Sequence, residues 1–205
     1  MPQTQPPISP EMVLRAYLAG AFPMADPQTG RIDWFQPDPR AVQPFAPGDP
    51  LGGFRVRRSL AKTARNAGFE ITRDQAFDQV IAACAVPRED DPQTWINAKL
   101  MSLYTQLHEL GWAHSVEAWR DGQLVGGLYG LALGGAFFGE SMFSREPYAS
   151  QVCYVHLVEH LLEQKFRLLD VQFVNPHIAQ FGVVEVPHED YMKLLEDAVV
   201  MRVVW

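Results

Sequence analysis

Eleven of the sixteen prolines in this 205-residue chain fall within residues 1–53: Pro2, Pro6, Pro7, Pro10, Pro23, Pro27, Pro37, Pro39, Pro44, Pro47 and Pro50. Proline fixes φ and has no N–H to donate, so this density interrupts both helices and strand ladders. One helix escapes. Ser9 supplies an N-cap, Pro10 a first-turn proline and Glu11 an early acid, and Val13, Leu14, Tyr17 and Leu18 recur at helical spacing until Gly20. Residues 20–24 and 34–40 read as irregular, and the second stretch carries two large aromatics, Trp34 and Phe35. Loops of this kind often carry function.

Beyond the prolines the pattern becomes regular. Residues 59–66 predict a short helix capped by Ser59, 69–72 a strand and 74–84 an amphipathic helix, which together make a small α+β unit. A turn at 87–92 leads to a helix over 97–110, with Leu100, Leu103, Tyr104 and Leu107 on one face. Residues 113–119 alternate as a strand, Asp121-Gly122 is a two-residue hairpin signal, and 124–133 continues as a strand weakened by Gly126, Gly127 and Gly130. After Gly134-Gly135 come a segment at 136–144, a helix over 150–164 and a strand over 168–174. That order predicts an α+β chain with a mixed, mostly antiparallel sheet closed by one right-handed crossover. The change of character divides the chain into 1–92 and 93–205, the second having an acyltransferase-like layout.

Composition narrows the class. Hydrophobic residues make up 47% and charged residues 20%, and 17 Lys+Arg against 24 Asp+Glu give a net charge of −7. Cys84 and Cys153 stand far apart with no Cys-x-x-Cys spacing, which favours neither a disulfide framework nor a thiolate zinc site and fits a reducing cytoplasm. The first ten residues lack a basic n-region and an apolar h-region, and no window approaches the ~20 apolar residues of a membrane span. A soluble cytoplasmic protein is expected. The Gly-x-Ser-x-Gly elbow, the Walker loop and Gly-x-Gly-x-x-Gly are all missing, which disfavours a serine hydrolase, a P-loop ATPase and a Rossmann dehydrogenase. His156 and His160 have the i, i+4 spacing of a helical metal pair but no matching third ligand, so no metal is expected.

Three groups of residues could carry chemistry. Strand periodicity puts Asp170 and Gln172 on one face of 168–174 and Leu169, Val171 and Phe173 on the other; that face is either a wet side or, with Asn175 just beyond it, a cleft at the strand's carboxyl end. Glu140 sits among Phe138, Met142 and Phe143, where burial would raise its pKa unless it is paired, and the alternative is a strand end in solvent. Arg55, Arg57, Arg58, Lys62 and Arg65 fall in a stretch without acids, with Arg58, Lys62 and Arg65 at i, i+4 and i+7 on one helical face. That patch is either a solvated face or a phosphate contact.

Seven strings then occur in order: Gly20-Ala-Phe-Pro-Met24, Trp34-Phe-Gln-Pro-Asp-Pro-Arg40, Thr94-Trp95-Ile96, His108-Glu-Leu-Gly-Trp-Ala-His-Ser-Val-Glu117, Leu124-Val-Gly-Gly-Leu-Tyr-Gly130, Phe138-Gly-Glu-Ser-Met-Phe-Ser-Arg145 and Leu169-Asp-Val-Gln-Phe-Val-Asn175. Together, over about residues 11–195, they resemble the leucyl/phenylalanyl-tRNA-protein transferase family. The resemblance implies a small N-terminal domain followed by a GNAT acetyltransferase-like domain adapted to aminoacyl-tRNA. It also implies a reaction: Leu or Phe, and less readily Met, moves from tRNA to the α-amine of proteins beginning with Arg or Lys, which marks them for N-degron-dependent degradation. The ester is already activated, so no cofactor is implied.

Carried onto this chain, the resemblance makes Asp170 and Gln172 the Asp-x-Gln pair and Glu140 the acid of the Gly-Glu-Ser-Met-Phe-Ser motif, three catalytic candidates. Gln172 would accept a hydrogen bond from the attacking amine, and Asp170 would act as base or would polarise or orient Gln172. Glu140 would bind the cationic N-terminal residue or the 3′ adenosine. Leu128, Phe137, Met142 and Phe143 are candidates for the amino-acid pocket, Ser144 and Asn175 for further substrate contacts, and Trp34 and Trp95 for stacking on the terminal adenine. Arg58, Lys62 and Arg65 would bind tRNA. A monomer with no membrane association is expected. Compared with the family, this chain starts close to the Ser9 helix and has a sparse basic helix, which predicts weaker or more salt-sensitive tRNA binding. An acetyl-CoA enzyme is the runner-up, but no Gly-rich pyrophosphate loop precedes the 150–164 helix. A noncatalytic tRNA- or degron-binding module is the third reading, and the presence of Glu140, Asp170 and Gln172 together argues against it.

Overall fold

The computed structural model describes residues 7–45, 48–87 and 94–205, with the side chains of Thr63, Arg65 and Asn66 left aside. The helix α1 (Pro10–Leu18) starts as its sequence dictates: the Ser9 side chain accepts the Met12 N–H at 3.2 Å, and Val13 and Tyr17 face inward. The proline-rich stretch is more regular than expected. Phe22–Ala25 (β1) and Ile32–Phe35 (β2) pair as an antiparallel hairpin, and Arg40–Val42 forms a third short strand, β3. Strands of three or four residues leave room for Pro23 and Pro37 at positions that no long ladder would tolerate.

The remaining elements are α2 (Arg58–Asn66), β4 (Glu70–Arg73), α3 (Phe77–Cys84), α4 (Ala98–Glu109), β5 (Ala113–Arg120), β6 (Gln123–Leu133), β7 (Ala136–Ser144), α5 (Ala149–Glu163), β8 (Leu168–Gln172), α6 (Pro176–Ala179), β9 (Val184–Val186) and α7 (His188–Val199). Three expectations shift. Ser59 lies inside α2 rather than capping it. Helix α3 begins at Phe77, because Asp74 has φ +56 and its carboxylate is held by the Ser115 N–H and His114. Strand β8 stops at Gln172, two residues early. The turn expected at 87–92 lies, from residue 88 on, outside the described residues.

Seven strands form one sheet in the order β4-β5-β6-β7-β8-β3-β9. Every neighbouring pair is antiparallel except β7 and β8, which the α5 crossover leaves parallel, so the sheet is mixed and mostly antiparallel as expected. The chain is α+β. Strands β3 and β4, both from the first 92 residues, are hydrogen-bonded into this sheet.

Helices cover both faces. Val13 and Tyr17 of α1, Val80 and Ile81 of α3, Leu100 and Tyr104 of α4 and Tyr191 and Leu195 of α7 pack on Tyr129, Leu131 and Phe138. On the other face, Ala149, Cys153, Leu157 and Leu161 of α5 and Leu60 of α2 pack on Val116, Leu128, Phe137, Leu169 and Val171. Each fully buried Leu or Phe contributes about 1.5–3 kcal/mol relative to exposure, so α5 alone holds its face of the sheet firmly. Coverage on both sides also explains why no face of β8 is wet: all five of its residues are buried. Among the described residues no helix is long and apolar enough to cross a membrane.

Candidate active site

β7 and β8 pair only through Ala136↔Leu168, Phe137↔Leu169 and Phe138↔Asp170, and beyond that point they part. The gap opens at the carboxyl ends of the one parallel pair, where open sheets bind ligands. A cavity of about 220 Å³ fills it, bounded by Gly139–Met142 on one side and by Val171, Gln172 and Asn175 on the other.

Two local distortions aim the polar side chains. In β7 the register jumps from Tyr129↔Ser141 to Gly130↔Gly139, so Glu140 is an extra, unpaired residue, a β-bulge. The bulge reverses the alternation: Phe138 lies in the core beneath α1 and α4, while Met142, four residues on, lies on the α5 side. At the end of β8, Gln172 takes φ +57 and the Phe173 N–H donates to the Val171 carbonyl at 2.6 Å, a tight three-residue turn. A non-glycine residue held in that region is strained and needs surrounding contacts to keep it there.

Those contacts come from Asp170. Its carboxylate is 0% exposed and accepts from the Gln172 backbone N–H at 2.9 Å, from the Tyr191 hydroxyl at 2.7 Å and from two Arg40 nitrogens, Nε at 2.9 Å and Nη2 at 2.7 Å. Arg40 is itself buried, between the rings of Phe22 and Tyr191 at 4.7 Å each, and donates its Nη1 to the Gly20 carbonyl at 3.0 Å. Paired and fully hydrogen-bonded, the two charges can sit in the core. Arg40 and Tyr191 had no assigned role in the sequence reading. The signal for a cation was present all the same, since an Asp in a strand covered on both faces requires one.

Glu140 reaches the cavity wall. Its carboxyl accepts from the Tyr17 hydroxyl at 2.7 Å, the Tyr104 hydroxyl at 2.8 Å and Gln172 Nε2 at 3.2 Å. Burial pushes its pKa up to about 7 against the opposing pull of the two tyrosine hydrogen bonds, with Asp170 adding to the rise. Gln172 thus bridges the two acids, its backbone N–H on Asp170 and its side-chain amide on Glu140. Its side-chain oxygen has no partner among the described residues. Tyr17 and Tyr104, read from sequence only as stripe residues of their helices, are the other two partners of Glu140.

The remaining candidates divide. Leu128, Met142, Trp95 and Asn175 line the cavity, and Asn175 also caps α6 by accepting the His177 and Ile178 N–H groups. Phe137 does not reach the wall: it is 0% exposed and stacks on Trp205 at 5.1 Å. Phe143 lies on the opposite side of the sheet from Met142, as alternation after the bulge demands. Ser144 is used in structure, accepting the Ser150 N–H at 3.1 Å at the start of α5. Trp34 is 39% exposed on the β1–β2 hairpin and is not among the residues that line the cavity. Arg58 and Lys62 are exposed on α2, and the Arg65 side chain lies outside what the structure describes. Two cavity residues that sequence reasoning passed over, Leu157 and Val171, complete the apolar side with Ile178.

Known proteins resemble this chain over most of its length. Residues 50–196 match the family described as leucyl/phenylalanyl-tRNA protein transferase, and residues 7–38 match that family's N-terminal domain. A protein of Pelodictyon phaeoclathratiforme named leucyl/phenylalanyl-tRNA–protein transferase is 49% identical over 94% of this chain and 96% of its own. Proteins of the same name from Chlorobium luteolum and Chlorobaculum parvum are 48% and 47% identical, over 92% and 96% of this chain and 94% and 98% of theirs. The cleft where β7 and β8 part, with Glu140 on its bulge and Gln172 pinned by Asp170, therefore stands in a chain that belongs to the leucyl/phenylalanyl-tRNA-protein transferase family.

Proposed function

We propose that this chain transfers Leu or Phe, and Met less well, from aminoacyl-tRNA to the α-amine of proteins that begin with Arg or Lys, marking them for N-degron-dependent degradation. The observation that carries the proposal is the two-sided cleft: an apolar wall of Leu128, Met142, Leu157, Val171 and Ile178 faces a polar one of Glu140, Gln172 and Asn175. An apolar side chain without a branch at Cβ, aliphatic or aromatic, fits the first wall, and the ester and incoming amine meet at the second. Phe137 supports that wall from beneath, and Trp95 offers a ring for the terminal adenine.

In the reaction an amide C–N bond forms, the ester C–O bond breaks, the nitrogen gives up one proton and the ribose oxygen takes one. The attacking amine must be neutral and aimed, and the free side-chain oxygen of Gln172 is the acceptor that aims it. Asp170 serves as orienter. It is sealed from the cavity and fully engaged with four donor groups, so it sets the Gln172 turn rather than taking a proton. Arg58, Lys62 and Arg65 would meet the phosphates of the tRNA.

The test is transfer of radiolabelled Leu from its tRNA to peptides starting with Arg, Lys or Ala. Label should enter the Arg and Lys peptides, with little in the Ala peptide. Equal labelling of all three would refute the acceptor rule, and no labelling would refute the transfer itself.

A further inference from the structure

Glu140, Tyr17 and Tyr104 close a triangle. The Tyr17 hydroxyl lies 2.7 Å from Glu140 Oε1, the Tyr104 hydroxyl 2.8 Å from Glu140 Oε2, and the two hydroxyls lie 2.6 Å from each other. All three separations are those of real hydrogen bonds, and each needs its own proton. Each tyrosine supplies one proton and no more. If Glu140 is ionised, both hydroxyls point at it and the 2.6 Å contact between them faces lone pair to lone pair. If Glu140 is protonated, three protons serve three contacts: Oε2–H donates to Tyr104, Tyr104 to Tyr17, and Tyr17 to Oε1, which also receives Gln172 Nε2 at 3.2 Å.

We propose that Tyr17 and Tyr104 are positioning residues that hold Glu140 protonated and uncharged in the resting site through this closed ring. The inference deepens the transferase reading and rests on it for its meaning: the incoming ester meets a carboxylic acid, and a cationic side chain finds a carboxylate only after the ring gives up a proton.

The surroundings agree. Besides the two tyrosines of α1 and α4, Tyr129 of β6, Gln172 and Asp170 of β8 and Arg40 of β3 interact with Glu140, and Cys84 of α3 lines the same cavity. Asp170 and Arg40 pair with each other at 2.7 Å and pull the Glu140 pKa in opposite directions, and among the described residues no cation forms an ion pair with Glu140. Burial raises the Glu140 pKa to about 7 and raises both tyrosines well above their ordinary range, so they keep their protons; two tyrosines that only donate to a carboxylate would pull Glu140 the other way, and that is the alternative the test separates.

Removing one hydroxyl gives the test a sign. Tyr17→Phe takes two of the three bonds from the protonated ring. From the ionised form it takes one bond and one repulsion, so the protonation midpoint of Glu140 should fall, by about one unit if the balance amounts to one hydrogen bond. Tyrosines that merely donate to a carboxylate would produce a rise. The measurement is the carbonyl stretch of a neutral carboxyl group, assigned as the infrared band lost in Glu140→Gln, followed against pH in wild type, Tyr17→Phe and Tyr104→Phe. Carbon NMR of glutamate labelled at the side-chain carboxyl provides the same titration should the band overlap others. A midpoint near neutrality in the wild type that falls in both variants supports the ring, and a rise, no change, or a wild type already ionised at pH 6 overturns it. No tRNA is present, so a failure here is distinct from a failure of transfer.

Discussion

Arg40 and Asp170 show what a single pair of residues can fix. Removing the cation alone leaves a buried carboxylate without its partner, which costs about 3–5 kcal/mol, whereas replacing both charges by apolar groups is often nearly neutral. Arg40→Met should therefore lower the urea midpoint sharply, and Arg40→Met/Asp170→Leu should recover most of it. Transfer should not recover with stability. The double variant has no acceptor for the Gln172 N–H, and a reacting group displaced by about 1 Å loses roughly 10² in rate. Full activity in the refolded double variant would remove Asp170 from the role of orienter. Glu140 gives a second residue-scale prediction. Its pKa rises from 4.5 to about 7 on folding, so the folded state holds that proton more tightly than the unfolded chain. The stability this gives the wild type is complete below about pH 4.5 and is lost as pH climbs through 7. Relative to Glu140→Gln, the wild type should thus weaken between pH 4.5 and 8. The whole shift would correspond to about 3 kcal/mol, and the open cavity beside the carboxyl reduces this to about 2. Denaturant melts of both proteins at the two ends of that range provide the check.

At the scale of elements, the glycines of β6 turn from an apparent weakness into a requirement. A Cβ on Gly126 would stand 2.5 Å from the Ala149 Cβ at the start of α5, and one on Gly130 would stand 2.2 Å from the Phe138 carbonyl across the bulge. Gly126→Ala should push α5 outward and cost about 1–3 kcal/mol, the usual cost of overpacking. Gly130→Ala should cost at least as much and also disturb the bulge that aims Glu140, so its activity should fall further than its melting temperature accounts for. Paired melting curves and initial rates separate the two effects. The same elements show what a sequence can reveal. Ser9 and Asn97 marked their helix starts, and Asp121-Gly122 marked a turn where both residues have positive φ. Local signals of that kind act over a few residues. The bulge left no such trace: strict alternation puts Phe138, Glu140 and Met142 on one face, and only the β6 partner reveals the extra residue. Strand β3 is three residues long and exists because β8 and β9 flank it, so no periodicity could have announced it, and with it went the position of Arg40. The Asp-x-Gln and Glu140 motifs named three positions that the fold links by hydrogen bonds through Gln172, yet their partners Tyr17, Tyr104 and Tyr191 lie 21 to 123 residues away in sequence and come together only in the fold.

The whole molecule combines a net charge of −7 with five cations between Arg55 and Arg65 and no acid among them. Arg55, Arg57, Arg58 and Lys62 are exposed, and none of the four has an ion-pair partner among the described residues. Helix α2 carries Arg58 and Lys62 outward because its buried residue, Leu60, packs on the side facing α5. A polyanion approaching an acidic body is repelled by its net charge and attracted at this basic face, which favours one orientation before any specific contact forms. Each phosphate neutralised on duplex nucleic acid releases counterions worth roughly 0.9 in the slope of log affinity against log salt. Arg58→Gln/Lys62→Gln should therefore flatten the salt dependence of aminoacyl-tRNA binding by up to about 1.8 if both cations meet phosphates. The loss of affinity should be large at low salt and small at high salt, where the wild type has already lost the same contacts. The double variant should keep its melting temperature, since neither side chain is buried, and at saturating tRNA its turnover should stay near that of the wild type, because the cleft between β7 and β8 is untouched. Filter binding of Leu-tRNA over a salt series decides the matter: a slope equal to that of the wild type would place the tRNA on another face.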